Sequence, residues 1–80
     1  MRNLGERVEL TKREKDIYNF VVEYRNEKHF SPSMRVIAAG VGLYSPSTVY
    51  SHIHKIVEKG WFYPYDGTPR SIVPVTQTII

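Results

Sequence analysis

The sequence contains no cysteine and no long hydrophobic run. Without cysteine it has neither a disulfide framework nor a thiolate zinc site. No apolar run approaches the roughly 18 residues that cross a bilayer, and residues 1–10 lack the apolar region of a signal peptide. We therefore expect no membrane partner and a cytoplasmic location. The 80 residues suffice for one domain with a thin core, which has to be held together by packing alone.

Negative charge is absent from the middle of the chain. The formal net charge of +3 favours an anionic partner only weakly. However, no carboxylate lies between Glu27 and Glu58, and Arg35 is the only formally charged residue from 30 to 54. The same stretch carries eight hydroxyl side chains. A surface that meets phosphates and base edges needs short donors and must not repel the phosphates, so this stretch is a candidate nucleic-acid surface that includes Arg35.

The first helix is predicted from a capping box and an apolar stripe. Thr11 and Glu14 satisfy each other's backbone amides in such a box, and the helix then runs over about residues 12–29. It ends before Pro32, because the residue that precedes a proline is disfavoured in a helix. The predicted stripe consists of Ile17, Phe20, Val21 and Tyr24.

Two further helices are predicted around a glycine turn. Ser33 caps a short helix over about residues 34–39, which Gly40 and Gly42 break. Ser45 caps the third helix, with Pro46 at the favoured first position, and a glycine at 60 ends it. A short helix, a tight turn and a longer helix form the helix-turn-helix arrangement. The predicted apolar stripe of the third helix is Val49, Ile53, Ile56 and Val57.

A hairpin is predicted after the third helix. Residues 61–65 and 70–75 are β-prone, and a turn signal lies at 66–69. Pro64 and Pro74 cannot donate to a ladder, so we expect each to face an edge or to end the pairing. The predicted fold is mainly α (α+β): a three-helix winged helix-turn-helix with a C-terminal β-hairpin wing. Residues 1–10 would be a flexible leader, 11–75 the domain and 76–80 a tail.

The polar face of the third helix is the main candidate site. Serine and threonine bond phosphates or base edges, and a threonine methyl contacts thymine. Unpaired amides at the start of this helix would add a phosphate site. The alternative is an ordinary solvated face. The candidate side chains are Ser47, Thr48, Tyr50, Ser51, His54 and Lys55.

Two cations beyond this helix have two interpretations each. Arg70, after the predicted turn, either reaches a phosphate or the minor groove or is merely solvated. Lys59 either contacts a phosphate or complements the dipole at the end of its helix.

The aromatic residues at 61–65 also have two interpretations. They form either a stacking platform for single strands or the closure of a small core. We expect Trp61 or Phe62 in the core and leave Tyr63 and Tyr65 as candidates for the wing surface.

Metal and enzyme chemistry find no support in the sequence. His52 and His54 point in opposite directions on a helix and cannot share a metal. The sequence has no glycine-rich phosphate loop and no nucleophile elbow. We therefore expect no metal, no cofactor and no enzymatic activity.

A set of motifs over about Leu10 to Val75 carries a family resemblance. They are Leu10-Thr11-Lys12-Arg13-Glu14, Ser31-Pro32-Ser33, Val41-Gly42-Leu43, Ser45-Pro46-Ser47-Thr48-Val49, His52, Glu58-Lys59-Gly60 and Pro69-Arg70-Ser71-Ile72. In order and spacing they resemble the N-terminal DNA-binding domain of the LexA repressors, most closely in its Gram-positive style.

The resemblance implies a winged helix that binds double-stranded DNA as a homodimer on a palindromic operator and represses transcription, as in the SOS response. The source would be a bacterium, a phage or a mobile element. The self-cleaving peptidase domain of that family is not within these residues, so we expect no damage-triggered switch here. By resemblance, base-edge contacts fall on Ser45, Ser47, Thr48, Tyr50 and Ser51, and phosphate contacts near Ser33, Lys59 and Arg70.

Three departures from the family pattern stand out. Val36 replaces a usual glutamate, Tyr63-Pro64 stands where basic residues are frequent, and Tyr50 is bulkier than the usual residue. The alternative function is a winged helix that binds a protein partner through its aromatic hairpin and modulates a larger regulator without touching DNA.

Overall fold

Three helices form the body of the fold, as the sequence predicts. The computed structural model describes residues 8–65, 67, 71–76 and 78–80. Helices α1 (Lys12–Lys28), α2 (Met34–Val41) and α3 (Pro46–Glu58) all pack against one another around a single core. In the described part of the chain, no helix is long and apolar enough to cross a membrane.

The predicted capping box begins α1. The Thr11 hydroxyl accepts a hydrogen bond from the Glu14 amide (3.3 Å), and the Glu14 carboxylate accepts one from the Thr11 amide (3.0 Å). The helix ends at His29, which adopts a left-handed conformation (φ 69°) and donates its amide to the Arg25 carbonyl. The boundaries of α1 therefore follow from local signals.

The buried face of α1 differs from the predicted stripe. Phe20 and Tyr24 are only half-buried, and Tyr18 is fully buried instead. Burial of Tyr18 is favourable because its hydroxyl bonds Thr76 and the Thr78 carbonyl, at the far end of the chain. The fully buried apolar side chains of α1 are Ile17, Tyr18, Val21 and Val22.

A buried ion pair joins the start of α1 to the end of α3. The Glu14 side chain is 3% exposed and the Lys59 side chain 23% exposed, and the Lys59 ammonium nitrogen lies 2.5 Å from the Glu14 carboxylate. Burial raises the pKa of Glu14, but the hydrogen bond and charge of Lys59, together with the bonds from Thr11, outweigh it and hold the pKa below its usual value. Glu14 therefore remains ionised in the core.

The segment after α3 pairs with the C-terminal segment at one point. Phe62 and Pro74 form an isolated antiparallel bridge, flanked by bonds from the Tyr63 amide to the Val73 carbonyl and from the Val75 amide to the Trp61 carbonyl, both 2.9 Å. The described residues thus contain a bridge instead of the two predicted strands. Of the predicted turn, only Gly67 is described.

The two prolines suit this register. The flanking bonds make Phe62 and Pro74 a non-hydrogen-bonded pair, a position at which the ladder requires no amide. Continued by two residues, the same register would set Pro64 opposite Ile72, again at a position that requires no amide. The nitrogen of Pro74 therefore points away from Phe62, toward the outer edge of the pair, as the sequence predicts for a proline that faces an edge.

Both predicted terminal segments contact the helices. The Val8 amide donates to the Lys59 carbonyl (2.9 Å), the Trp61 indole donates to the Val8 carbonyl (2.6 Å), and Leu10 is buried. At the other end, Asn19 exchanges two hydrogen bonds with the backbone of Ile80. Val8 and Ile80 are thus hydrogen-bonded to the rest of the domain and Leu10 is part of the core, while the boundaries at 11 and 75 stay predictions.

We predict that Lys59→Met lowers the free energy of unfolding by about 2–4 kcal/mol, because it leaves the Glu14 carboxylate buried without its cation. The double variant Glu14→Gln, Lys59→Met should recover much of this loss, since glutamine still caps α1 and no charge remains buried. Urea unfolding measures both. As a control, Lys28→Met removes an exposed pair with Glu27 (3.5 Å) and should cost less than about 0.5 kcal/mol. If the single and the double variant lose the same free energy of unfolding, Lys59 does not stabilise the fold by neutralising Glu14.

The same pair predicts a pH dependence of stability. The pKa of Glu14 is lowered from its usual 4.5, so its stabilising effect is complete above that value and is lost as the pH falls through the folded-state pKa. The stability difference between the wild type and Glu14→Gln should be constant above about pH 5.5 and should shrink below 4.5. Urea unfolding at a series of pH values checks this; a difference that persists unchanged in acid would rule it out.

Candidate nucleic-acid interface

The turn between α2 and α3 uses its two glycines for different reasons. Gly42 is the C-cap of α2 in the left-handed conformation (φ 76°), and a Cβ there would meet no atom within 4 Å. Gly40 lies inside α2, although the sequence suggests that it breaks the helix. A Cβ at Gly40 would lie 2.1 Å from the ring of Phe20, so any larger residue at this position requires that ring to move. Gly42 is thus needed for conformation and Gly40 for space.

Helix α3 is anchored by its apolar face. Val49, Ile53 and Ile56 are fully buried and Val57 is half-buried, which confirms the predicted stripe. Ser45 is the N-cap and Pro46 the first residue, as predicted. The opposite face is therefore directed to solvent, and all six candidate side chains on it are exposed: Ser47, Thr48, Tyr50, Ser51, His54 and Lys55.

The amides at the start of α3 are not free, contrary to the expectation from sequence. Pro46 has no N–H, and the Ser47 amide donates to the Ser45 hydroxyl (3.2 Å). The amides of Thr48 and Val49 donate to the Ser45 carbonyl (3.1 and 3.4 Å). Any anion at this end of the helix must therefore be bound chiefly by side chains.

Tyr50 connects α3 to the segment that follows it. Its ring contacts the His54 ring edge to face, with centroids 4.4 Å apart, and the Tyr65 ring at 6.0 Å. Tyr50 remains 46% exposed, whereas Tyr65 is half-buried against the core. Such edge contacts between aromatic rings are favourable beyond the area they bury, so they hold Tyr50 in a defined position.

The remaining candidates differ in their surroundings. Ser33 caps α2 through a bond from the Val36 amide (3.2 Å), and Arg35 is exposed on α2. Lys59 is held by Glu14, so its ammonium group has a partner within the domain. Arg70 lies outside the described residues.

One hydroxyl of the central stretch is structural. Ser31 is 1% exposed, accepts from the Arg25 guanidinium and donates to the Ile72 carbonyl. It links α1 to the C-terminal segment and does not belong to the surface. Nothing in the sequence around Ser31 indicates this, because its acceptor lies 41 residues further along the chain.

The aromatic residues at 61–65 divide between core and surface. Phe62 is 2% exposed and Trp61 is packed against the core, which agrees with the expectation for this pair. Tyr63 is 46% exposed. Within the described ranges, no group of three histidine or carboxylate side chains could hold a metal ion.

This geometry is that of a helix-turn-helix DNA-binding domain, with a buried apolar face on α3 and an exposed hydroxyl-rich face opposite it that carries no carboxylate before Glu58. The family described as "LexA DNA binding domain" matches residues 7–71, and the chain belongs to this family. The LexA repressors of Staphylococcus aureus strains USA300 and NCTC 8325 / PS 47 are each 42% identical to it over 64 residues. The match covers 80% of this chain and 31% of each repressor, so the chain spans about a third of their length.

We predict that Gly40→Ala destabilises the fold by about 1–3 kcal/mol, because the new methyl group collides with the Phe20 ring. In a Phe20→Leu background the same change should cost less, since the ring atoms nearest the methyl group are gone. Thermal unfolding of the four proteins measures the coupling. Additive effects of the two substitutions would show that the close approach does not require glycine.

Proposed function

We propose that this domain binds double-stranded DNA sequence-specifically and represses transcription, with α3 in the major groove. The observation that carries the proposal is the outer face of α3, which exposes hydroxyl and imidazole groups and the Lys55 ammonium group, with no carboxylate before Glu58. In helix-turn-helix proteins the corresponding helix presents its N-terminal residues to the base edges.

The length and position of each exposed side chain indicate which part of the DNA it would contact. Ser47, Thr48 and Ser51 are short and lie in the first turns of α3, so they suit base edges. Tyr50, held by its ring contacts, would sit beside them. His54 and Lys55 lie further along and would contact the backbone. Arg35, exposed on α2, would contact a phosphate.

The two capping serines can serve both the fold and the DNA. The hydroxyls of Ser33 and Ser45 each accept a hydrogen bond from a backbone amide. A serine hydroxyl has one hydrogen to donate besides its two acceptor lone pairs, so both can still donate to a phosphate. Each cap would therefore become a phosphate contact without unfolding the first turn of its helix.

A C-terminal wing fits the same proposal. The Phe62–Pro74 bridge pairs the segments on both sides of residues 66–70, and a hairpin would place Arg70 near its tip. From there Arg70 would reach a phosphate or the adjacent minor groove. In this proposal residues 11–75 are the winged domain, and Lys59 serves mainly as the structural partner of Glu14.

The related proteins are named repressors, which favours a palindromic operator bound by two copies of the domain. Two recognition helices then read half-sites about one helical turn apart, roughly 34–36 Å. Such a function needs no catalysis and no cofactor, and it places the protein with the DNA in the cytoplasm of a bacterium.

The alternative is a protein-interaction module that uses the aromatic segment. One observation favours it, the 46% exposure of Tyr63. Tyr65, the other candidate for that surface, is half-buried and packs on Tyr50. The aromatic patch is therefore smaller than the hydroxyl face of α3, and DNA binding is the better supported function.

A DNA titration tests the proposal. Duplexes selected from a random pool should be bound with a salt dependence equivalent to roughly 3–5 phosphates per protomer. The variant Ser47→Ala, Thr48→Ala should lose about tenfold or more of its preference for the selected duplex over a scrambled one, because base contacts carry specificity. Lys55→Ala should weaken both duplexes alike and lower the salt slope by about 1.

Lys28→Ala serves as the control, because Lys28 is an exposed lysine on α1 that already pairs with Glu27. Its binding should equal that of the wild type. Absence of binding at low salt, or selected sequences without any consensus, would refute the proposal. Loss of a protein partner on Tyr63→Ala with no DNA binding by the wild type would favour the alternative.

A further inference from the structure

Tyr44 is the most exposed aromatic side chain among the described residues. It shows 103% of the accessible surface of a reference tyrosine, whereas Tyr50 and Tyr63 show 46%. Most other aromatic side chains pack against the fold; Tyr18 and Phe62, for example, are almost completely buried. The ring of Tyr44 therefore makes no packing contribution to the fold and is free to contact a partner.

The residues on both sides of Tyr44 are held by contacts with the fold. Before it, the Leu43 amide donates to the Ala38 carbonyl (2.8 Å) and the Leu43 side chain packs against the core. After it, Ser45 is the extended N-cap of α3. Tyr44 lies at a bend between these two residues, where Leu43 packs against the core and the Tyr44 side chain is exposed to solvent.

Tyr44 thus lies just before the N-cap of α3, at the end of the helix that contacts the base edges in helix-turn-helix proteins. The surrounding stretch from 28 to 57 has no carboxylate that would repel a phosphate. The first amides of α3 are already occupied by Ser45, so they leave a phosphate at this end without backbone donors. A phenol hydroxyl is a donor with the necessary reach.

We propose that Tyr44 is a DNA contact: its hydroxyl donates to a backbone phosphate at the edge of the major groove, and its ring packs against the adjoining deoxyribose. This inference rests on the proposed DNA-binding function and deepens it. It assigns Tyr44 to affinity and to the position of α3 in the groove, because phosphate contacts fix register without reading sequence.

Two substitutions separate the hydroxyl from the ring. Tyr44→Phe should weaken binding to the selected duplex about 3- to 10-fold through one lost hydrogen bond, and Tyr44→Ala about 10- to 50-fold. Both should weaken a scrambled duplex by a similar factor and leave the salt slope unchanged, because tyrosine is uncharged. Fluorescence anisotropy over a series of salt concentrations measures the affinities and the salt slope.

Two controls check that the variants still fold and that the loss of binding is specific to Tyr44. Since the side chain is fully exposed, neither variant should shift the thermal unfolding midpoint by more than about 2 °C. As a control, Ile79→Ala shortens another exposed apolar side chain (47%), which lies on the C-terminal segment, and this variant should bind like the wild type.

The outcomes are distinct. If the wild type binds and Tyr44→Ala binds equally well, the inference is wrong and the proposed function stands. If only Tyr44→Ala is weaker and Tyr44→Phe equals the wild type, the phosphate bond is excluded. If the wild type binds no duplex, the proposed function itself fails.

Discussion

The buried pair of Glu14 and Lys59 is the interaction on which the arrangement of the helices depends. Glu14 caps α1 and at the same time holds the residue that ends α3, whose carbonyl in turn accepts the Val8 amide. A carboxylate this deeply buried is tolerable only with a partner, so the cost of desolvation ties the two helix ends together. Because α1 and α3 are fixed at this point, the outer face of α3 has one orientation relative to the rest of the domain.

The use of charge follows from this constraint. Lys59, a candidate phosphate contact in the sequence, is largely committed to the interior, which leaves Lys55 and Arg35 as the described cations near the candidate interface. Because the surface has so few charges, counterion release contributes less to its affinity for DNA, and hydrogen bonds and shape complementarity contribute more. The exposed hydroxyls of α3 are suited to that kind of recognition, since each can both donate and accept.

Local features of the fold could be predicted from the sequence, and distant ones could not. The caps at Thr11, Ser33 and Ser45 depend on residues two or three positions away, so their signals are complete in the chain. The burial of Tyr18 depends on acceptors about 60 residues later, and that of Glu14 on a lysine 45 residues later. A pattern of apolar residues therefore predicts Phe20 in the core of α1, whereas the structure buries Tyr18. The exposure of the candidate face of α3 could be predicted because it is the complement of a regular apolar stripe.

Helix α3 and the segment after it are coupled by two contacts. Tyr65 contacts Tyr50 on α3 by an edge of its ring, and Pro74 pairs with Phe62 at a position where no amide is needed. The first contact couples the exposed face of α3 to the residues that would form a wing. The second anchors the base of that wing in the core, since both Phe62 and Pro74 are buried. A displacement of either element would disturb the other, so groove contacts by α3 and backbone contacts by the wing would be made in a fixed geometric relation.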